Sequence, residues 1–398
     1  MGLATININV ITDSIGTSVS VDDSVSGLIF SGPAPAGLAL STPKAIYSLA
    51  EAVALGIDEA YDTDNSVDTY QQLVDFYSWD TTGIELWIMI LPQTTTLASA
   101  CDKTNTGGVI KLLQAANNRV KKWGIHRIPD GAYVPTYDKG LDDDVYSAVL
   151  KADELCKSFL AQGTGCQAFI GARGFQGDVG NLHDFRTNSN ELVEPFIGSL
   201  TEDGNPAIGY LLGRYASLPV QRKPSRVKNG TLSADAVYLS DGETIETYQA
   251  AMDSLHDKGY AFFKTIPLKA GYFFSSDPTA VAEGNDLAWI TRGAVIIKAV
   301  EIATKTYIEE LDDEVDVDEA GYMAPVSLKN FQGNVKTDLE TGLAGNISEQ
   351  PNAVKVVVNP VQNILATNKV IIESIKVRPK GYASDIEFSL GFDNPLNN

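Results

Sequence analysis

The chain has 398 residues, 44% of them hydrophobic and 20% charged, which is enough to bury a sizeable core in two or three domains. Fifty-one acidic residues against 30 basic ones give a formal net charge of −21, which argues against binding nucleic acid through a general basic surface. Three cysteines, Cys101, Cys156 and Cys166, are too few and too odd in number for a disulfide framework, so folding in a reducing compartment is expected.

The first residues carry neither a basic segment nor an apolar run of the kind that directs secretion, so the chain is expected to stay where it is made. No apolar stretch approaches the ~20 residues that cross a bilayer, and no membrane insertion is expected. Thr5 to Thr12 reads as a half-buried strand, with Ile6, Ile8 and Val10 alternating with Asn7 and Asn9. A Ser- and Asp-rich stretch follows, then a short strand over Gly27 to Ser31. Thr42-Pro43 predicts the start of a helix through Ala45 to Gly56. Ser66 to Tyr77 reads as a second helix and Glu85 to Leu91 as a buried strand. Val109 to Trp123 reads as an amphipathic helix whose last turn holds Lys121 and Lys122, where cations suit the helix dipole. Asp142 to Ala161 has the acidic first turn of a helix, Ala168 to Ala172 is strand-like and Ala207 to Ala216 helical.

Turn signals at Asn229-Gly230 and Asp241-Gly242 lead into a helix over Glu243 to Lys258 and strands over Ala261 to Ile266 and Gly271 to Phe274. Asn285 to Leu311 is the longest helical pattern, closed by an acidic run, and Val326 to Thr341 is a further helix. Three strand patterns end the chain: Val354 to Val358, Val370 to Val377, and Ser384 to Phe392. In the last, Ile386, Phe388, Leu390 and Phe392 share one face. The fold class expected is therefore α/β and α+β. An N-terminal strand arm (1–21) precedes an outer α/β domain (22–245), and a C-terminal α+β domain (246–398) ends in a second arm.

No catalytic, cofactor or metal residue is expected. His126, His183 and His256 lie far apart, and no zinc-ligand spacing or nucleophile elbow occurs. Gly171, Gly174, Gly177 and Gly180 follow a strand, but their loop has no lysine and opens no helix, so a turn is a better reading than a phosphate cradle. The acidic run Asp312 to Glu319 has Gly321 where a calcium loop from Asp316 needs it, but Ser327 where that loop needs Glu. A solvated loop is the simpler reading. The basic stretch Arg214 to Lys228 reads as either a solvated loop or a contact with an acidic neighbour.

Several stretches together resemble the contractile tail sheath family of phages and phage-like particles. They are Gly271-Tyr-Phe-Phe-Ser-Ser-Asp277, the helix Asp286 to Ala299 with Trp289, Arg292 and Gly293, and Val356 to Lys369 followed by Lys376 to Ala383. Tyr47 to Ile57 and Leu212 to Val220 are similar more weakly. The resemblance implies a non-enzymatic subunit that polymerises with itself as hexameric rings stacked around an inner tail tube, with baseplate and tail terminator proteins as further partners. Such subunits are made in the cytoplasm and end in a virion tail or phage-like particle. The resemblance also implies that the terminal strands, with Ile6, Ile8 and Val10 at one end and Ile386, Phe388, Leu390 and Phe392 at the other, join neighbouring subunits. On the long helix, Lys298, Glu301, Lys305 and Glu309 recur at spacings of three and four and share a face. That face is a candidate for meeting the tube, or else an ordinary solvated stripe. An enzyme acting on carbohydrate or lipid, and a soluble binding or surface-layer module, remain as alternatives.

Overall fold

A computed structural model of the chain describes residues 23–387. Six residues buried without a break, Ser26–Ser31, form β1 at the centre of a sheet. Such a run suits a strand covered on both faces. Around it lie β2 (Lys44–Ile46), β3 (Leu86–Leu91), β4 (Lys122–His126), β5 (Gln167–Gly171) and β6 (Val193–Phe196) in the spatial order β2-β3-β1-β4-β5-β6. All neighbours are parallel except β2, which runs antiparallel to β3 at one edge. Pro195 lacks an amide hydrogen and sits in β6, the other edge, where a missing donor is tolerated.

Helices α1 (Leu49–Ala54), α2 (Glu59–Asn65), α3 (Thr69–Tyr77), α4 (Leu97–Cys101), α5 (Val109–Ala115), α6 (Asp143–Leu160) and α7 (Ile208–Ala216) accompany this sheet, and α8 (Met252–Asp257) with the hairpin β7 (Phe263–Ile266) and β8 (Lys269–Phe274) follows. The rest is α9 (Ile290–Glu309), α10 (Pro325–Gly342), β9 (Val354–Val358), the short α11 (Ile364–Thr367) and β10 (Ile372–Val377). Strands β9 and β10 make an antiparallel two-stranded sheet.

Among the described residues there are two hydrophobic cores. The first runs from Val25 through Trp123 and Phe169 and continues past residue 245, the division expected from sequence, to Tyr260, Phe263, Phe274, Ile290 and Ile297. The second holds Val220, Ala294, Val295, Ile302, Val335, Leu339, Leu343 and Val354. Both cores therefore draw on α9. Among the described residues no helix is long and apolar enough to cross a membrane.

Two helices differ from expectation. The first does not begin at Thr42: Lys44–Ile46 pairs with β3 and the helix starts after Ser48. Ser48-x-x-Glu51 has capping-box spacing, and Glu51 Oε2 accepts the Tyr47 amide at 3.2 Å. The second ends at Ala115, not Trp123. Asn117 and Asn118 take left-handed backbone (φ 51° and 59°), which stops a helix and frees Lys122–His126 to be a strand. Lys121 and Lys122 are thus buried at the entrance of a strand instead of exposed at the end of a helix.

Helices α3 and α7 meet at backbone distance. A Cβ at Gly209 would lie 2.0 Å from the Gln72 carbonyl oxygen, and one at Gly213 2.4 Å from that of Phe76. Gln72 fixes the crossing, since its Oε1 accepts the Gly209 amide at 2.7 Å while Nε2 donates to Pro206 O at 3.1 Å. Alanine is favoured over glycine in a helix interior by about 1 kcal/mol. Forcing two backbones apart costs more, roughly 1–3 kcal/mol. Gly209→Ala is therefore expected to lower stability in chemical denaturation, whereas propensity alone predicts a gain.

Candidate assembly surfaces

In an open parallel sheet, ligands sit beyond the carboxyl ends of the strands where successive connections turn opposite ways. Here that point lies between β1 and β4. The chain's own side chains fill it. Ser31 Oγ donates to Ile128 O (2.7 Å) and accepts the Ile128 amide (2.8 Å), bridging the two loops. Arg127 pairs with Asp144 at 3.1 Å and lies 4.2 Å from the Tyr133 ring centre. Arg173 pairs with Asp142 at 2.5 Å, and the Tyr133 hydroxyl donates to the same carboxylate at 2.8 Å. Asp144 also accepts the Leu97 and Ala98 amides, at 2.6 and 3.0 Å, at the start of α4. These ion pairs and hydrogen bonds commit most of the donors that could hold an anionic ligand; the buried Arg127 Nε is left over.

The glycine loop is likewise closed to phosphate. Lys258 Nζ donates to the carbonyls of Val179, Gly180 and Leu182, each at 2.8 Å. Carbonyls converging on an ammonium present the opposite polarity to a phosphate nest, which points amides inward. In the acidic run, Asp318 Oδ1 accepts the amides of Ala320 and Tyr322, both at 2.9 Å, and closes a turn.

Helix α9 presents a different picture from the expected stripe. Lys298 Nζ bonds Asp23 Oδ2 at 2.5 Å, Lys121 Nζ bonds Glu301 Oε2 at 2.5 Å, and Lys305 joins Glu301 at 3.0 Å. The side chains of Lys298 and Glu301 are each 13% exposed, against 43% for Lys305. The four residues do share a face, but its first half covers the entrance of β4 and β5, and only Lys305 and Glu309 reach the surface. Sequence reasoning missed this because it placed Lys121 on a helix. Gln167 completes the contact by donating to Ile290 O at 2.9 Å; a Cβ at Gly293 would come 2.6 Å from its Nε2. Burial among these groups holds Lys122 down from 10.5 to about 8, chiefly by desolvation, with Asp23 opposing.

A second buried polar group sits at the start of α9. Asp277 is fully buried. It pairs with Lys223 at 2.9 Å and accepts the Thr291 amide (3.1 Å) and hydroxyl (2.6 Å). Lys223 Nζ lies 3.6 Å from the Trp289 ring centre and 5.0 Å from that of Tyr382, whose hydroxyl donates to Gln221 O at 2.6 Å. The basic segment is thus divided: Lys223 is spent internally, and Arg226 donates to Asn229 Oδ1 at 3.2 Å.

The β9–β10 sheet buries Val354 in the second core, packs Val356, Ile375 and Val377 against it, and leaves Val357 40% exposed. Being two-stranded, it has a free edge on each side among the described residues. Beyond β10, Ile347 bridges Pro379, and Ser384 to Glu387 carries no regular structure, with Ile386 exposed. Ile6, Ile8, Val10, Phe388, Leu390 and Phe392 lie outside the described residues.

Two outcomes follow from the junction. Lys298→Glu sets a carboxylate beside Asp23 and near Glu301, so the variant should unfold at clearly lower temperature than the wild type. A freely solvated stripe would leave the melting temperature unchanged. For Lys122 the folded state binds its proton less well than the unfolded chain. Its penalty is therefore fully present below pH 8 and fades as pH rises from about 8 towards 10.5. Lys122→Met should gain on the order of 3 kcal/mol below pH 8, shrinking towards pH 10.5, in paired denaturation curves.

Residues 3–277 match the family described as DUF2586, N-terminal domain. No curated protein matches the chain. Among solved structures, the helical sheath of the anti-feeding prophage in its contracted state aligns with a TM-score of 0.63 at 13% identity, covering 98% of this chain and 100% of that one. A chain of the anti-feeding prophage baseplate, 6-fold symmetrised, aligns with a TM-score of 0.62 at 12% identity over 99% and 100% of the two chains. A sheath tail protein from Listeria innocua aligns at 0.51 and 9% identity, over 92% and 94%. At such identities the likeness is one of fold, and it extends over nearly the whole of each chain. The chain belongs to the DUF2586 N-terminal domain family, and its fold is that of contractile tail sheath proteins.

Proposed function

We propose that this protein is the structural subunit of a contractile tail sheath, polymerising as stacked hexameric rings around an inner tube and contracting to drive that tube through a target envelope. The observation that carries the reading is the end-to-end correspondence of fold with a contracted helical sheath. Neither chain leaves a large stretch unmatched.

The physical features agree. Among the described residues the β9–β10 sheet has unpaired backbone groups on both edges, and strands donated by other copies would satisfy them. Segments 1–21 and 384–398 are the proposed donors, with Ile6, Ile8, Val10, Ile386, Phe388, Leu390 and Phe392 as their apolar faces. The described chain begins and ends close to α9: Asp23 bonds Lys298, and Tyr382 packs on Lys223 beside Trp289. Segments rooted there can be pulled by a neighbour without unravelling the first core. The energy of contraction would be stored as strain in the extended lattice and released once, which needs no nucleotide. Lys305 and Glu309 remain candidates for weak, screened contacts with the tube. Baseplate and terminator proteins would cap the two ends of the polymer.

Negative-stain microscopy of purified, concentrated protein should show striated tubes or stacked rings; a compact monomer throughout would refute the proposal. Deleting residues 1–14 should leave a monomer that melts cooperatively at nearly the wild-type temperature, yet abolish tubes. Cysteines at Ile8 and, in turn, at Glu373, Ser374 and Lys376 should give covalent ladders between copies on oxidation of assembled particles. Bridges confined to single chains would show instead that the N-terminal strand pairs at home.

A further inference from the structure

A solvent-open cleft of about 580 Å³ lies between the end of α3 and the end of α7, on the far side of the crossing held by Gly209 and Gly213. Its walls include Trp79, Ile84, Leu218, Arg214, Asn229 and Asp80. Arg214 is the unusual member. It is 7% exposed, among the described residues no carboxylate pairs with it, and its buried Nε meets no hydrogen-bond acceptor. Its nearest compensation is the Trp79 ring, whose centre lies 4.4 Å from Cζ. That ring is itself pinned, because Trp79 Nε1 donates to Tyr210 O at 2.9 Å. Asn229 adds a second unmet donor. Its Oδ1 is taken by Arg226, so its Nδ2 is left without an acceptor. Asp80, exposed at the rim, is the one carboxylate of the lining and stays beyond ion-pair distance of Arg214.

A buried guanidinium without an anion is costly, because desolvation is repaid only when a charged acceptor arrives. Burial holds the Arg214 guanidinium below its ordinary affinity for protons, as an uncompensated cation should be. The cation–ring contact offsets part of this, at about 1–2 kcal/mol. A carboxylate entering the cleft would meet a planar fork of N–H donors backed by an aromatic wall and flanked by an amide donor. This is the arrangement that favours two-point recognition of carboxylates over other anions.

We propose that this cleft is a carboxylate-binding pocket, and that its occupant is an aspartate or glutamate side chain of a second copy of this chain. The choice of occupant rests on the sheath reading above and on charge. Copies that each carry 51 acidic and 30 basic residues repel one another, and every basic group left without an internal partner is a natural point of contact. The cleft has room for an acidic side chain together with its flanking backbone. Being partly buried, the resulting pair would be screened by salt less than a surface pair.

Two measurements separate the pocket from its occupant. Glutarate, a stand-in for a glutamate side chain, is titrated into the full-length monomer while tryptophan fluorescence is followed. Saturable change with a midpoint on the order of 1 mM is expected. It should weaken at least tenfold in Arg214→Met, and also in Asn229→Asp, which leaves the buried arginine and its packing in place. No response in the wild type, or equal responses in all three, would overturn the carboxylate pocket. In assembled particles mixed from isotopically heavy and light copies, a benzophenone is attached through Ser217→Cys. Cross-links to an Asp- or Glu-bearing segment of another copy are the expected result. Cross-links confined to the same chain, or wild-type tube formation by Arg214→Met and Asn229→Asp, would reject the second copy as occupant and leave a free small carboxylate as the ligand. A chain that never assembles would reject that occupant together with the sheath reading, while the glutarate titration would still decide the pocket.

Discussion

The structure depends on one helix that is buried from more than one side. Ile290 and Ile297 of α9 belong to the first core, while Ala294, Val295 and Ile302 belong to the second. A surface helix buries a single stripe. Here the charged face is covered as well, because Lys298 and Glu301 pair with Asp23 and Lys121 at the entrance of the sheet. The helix is then a shared wall between two bodies. Because packed interiors do not deform continuously, a displacement of one core is passed to the other through this rod.

That arrangement needs charge at a place where charge is expensive. Lys121, Lys122, Lys298, Asp23 and Glu301 crowd one small space, and Asp277 with Lys223 lies fully buried at the other end of the helix. Replacing such groups with well-packed apolar residues is often neutral or stabilising. Their value here is orientation: an apolar contact between sheet and helix could slide, whereas paired charges and the Gln167 bond to Ile290 O fix one register. Breaking any pair leaves its partner uncompensated, so the junction opens only at considerable cost.

Much of the fold was legible in the sequence. β1, β3, α6, β5, α7, the β7–β8 hairpin and β9 all lie where apolar runs, acidic first turns and turn dipeptides put them. Local signals failed where tertiary context overrode them. Thr42-Pro43 resembles a helix start, but Lys44–Ile46 gains a strand partner in β3 and the helix begins only after Ser48. Asn117-Asn118 was the overlooked stop signal, and its omission moved two lysines from a strand entrance to a helix end. The short strand Val193–Phe196 escaped notice because four residues containing a proline carry almost no periodicity. The candidate stripe on α9 was correctly placed on one face, but spacing of three and four says only that residues neighbour one another. What that face meets depends on contacts from residues 23 and 121, far away in sequence. Arg214 was visible as part of a basic segment, whereas its lack of a partner could be seen only in three dimensions.

The two ends of the described chain are tied to the same junction. Asp23 is held by Lys298 midway along α9, and Tyr382 is held near its beginning through Lys223 and Trp289. Both anchor points therefore lie on or beside α9. The first core rests on a six-stranded sheet whose central strand pairs on both sides, so it yields last. The β9–β10 sheet is the reverse: two strands, one face packed and, among the described residues, both edges free. An isolated hairpin is marginal in water, and added strands would raise its stability most. A subunit built this way has its rigid mass in one core and its capacity for new pairing in the other.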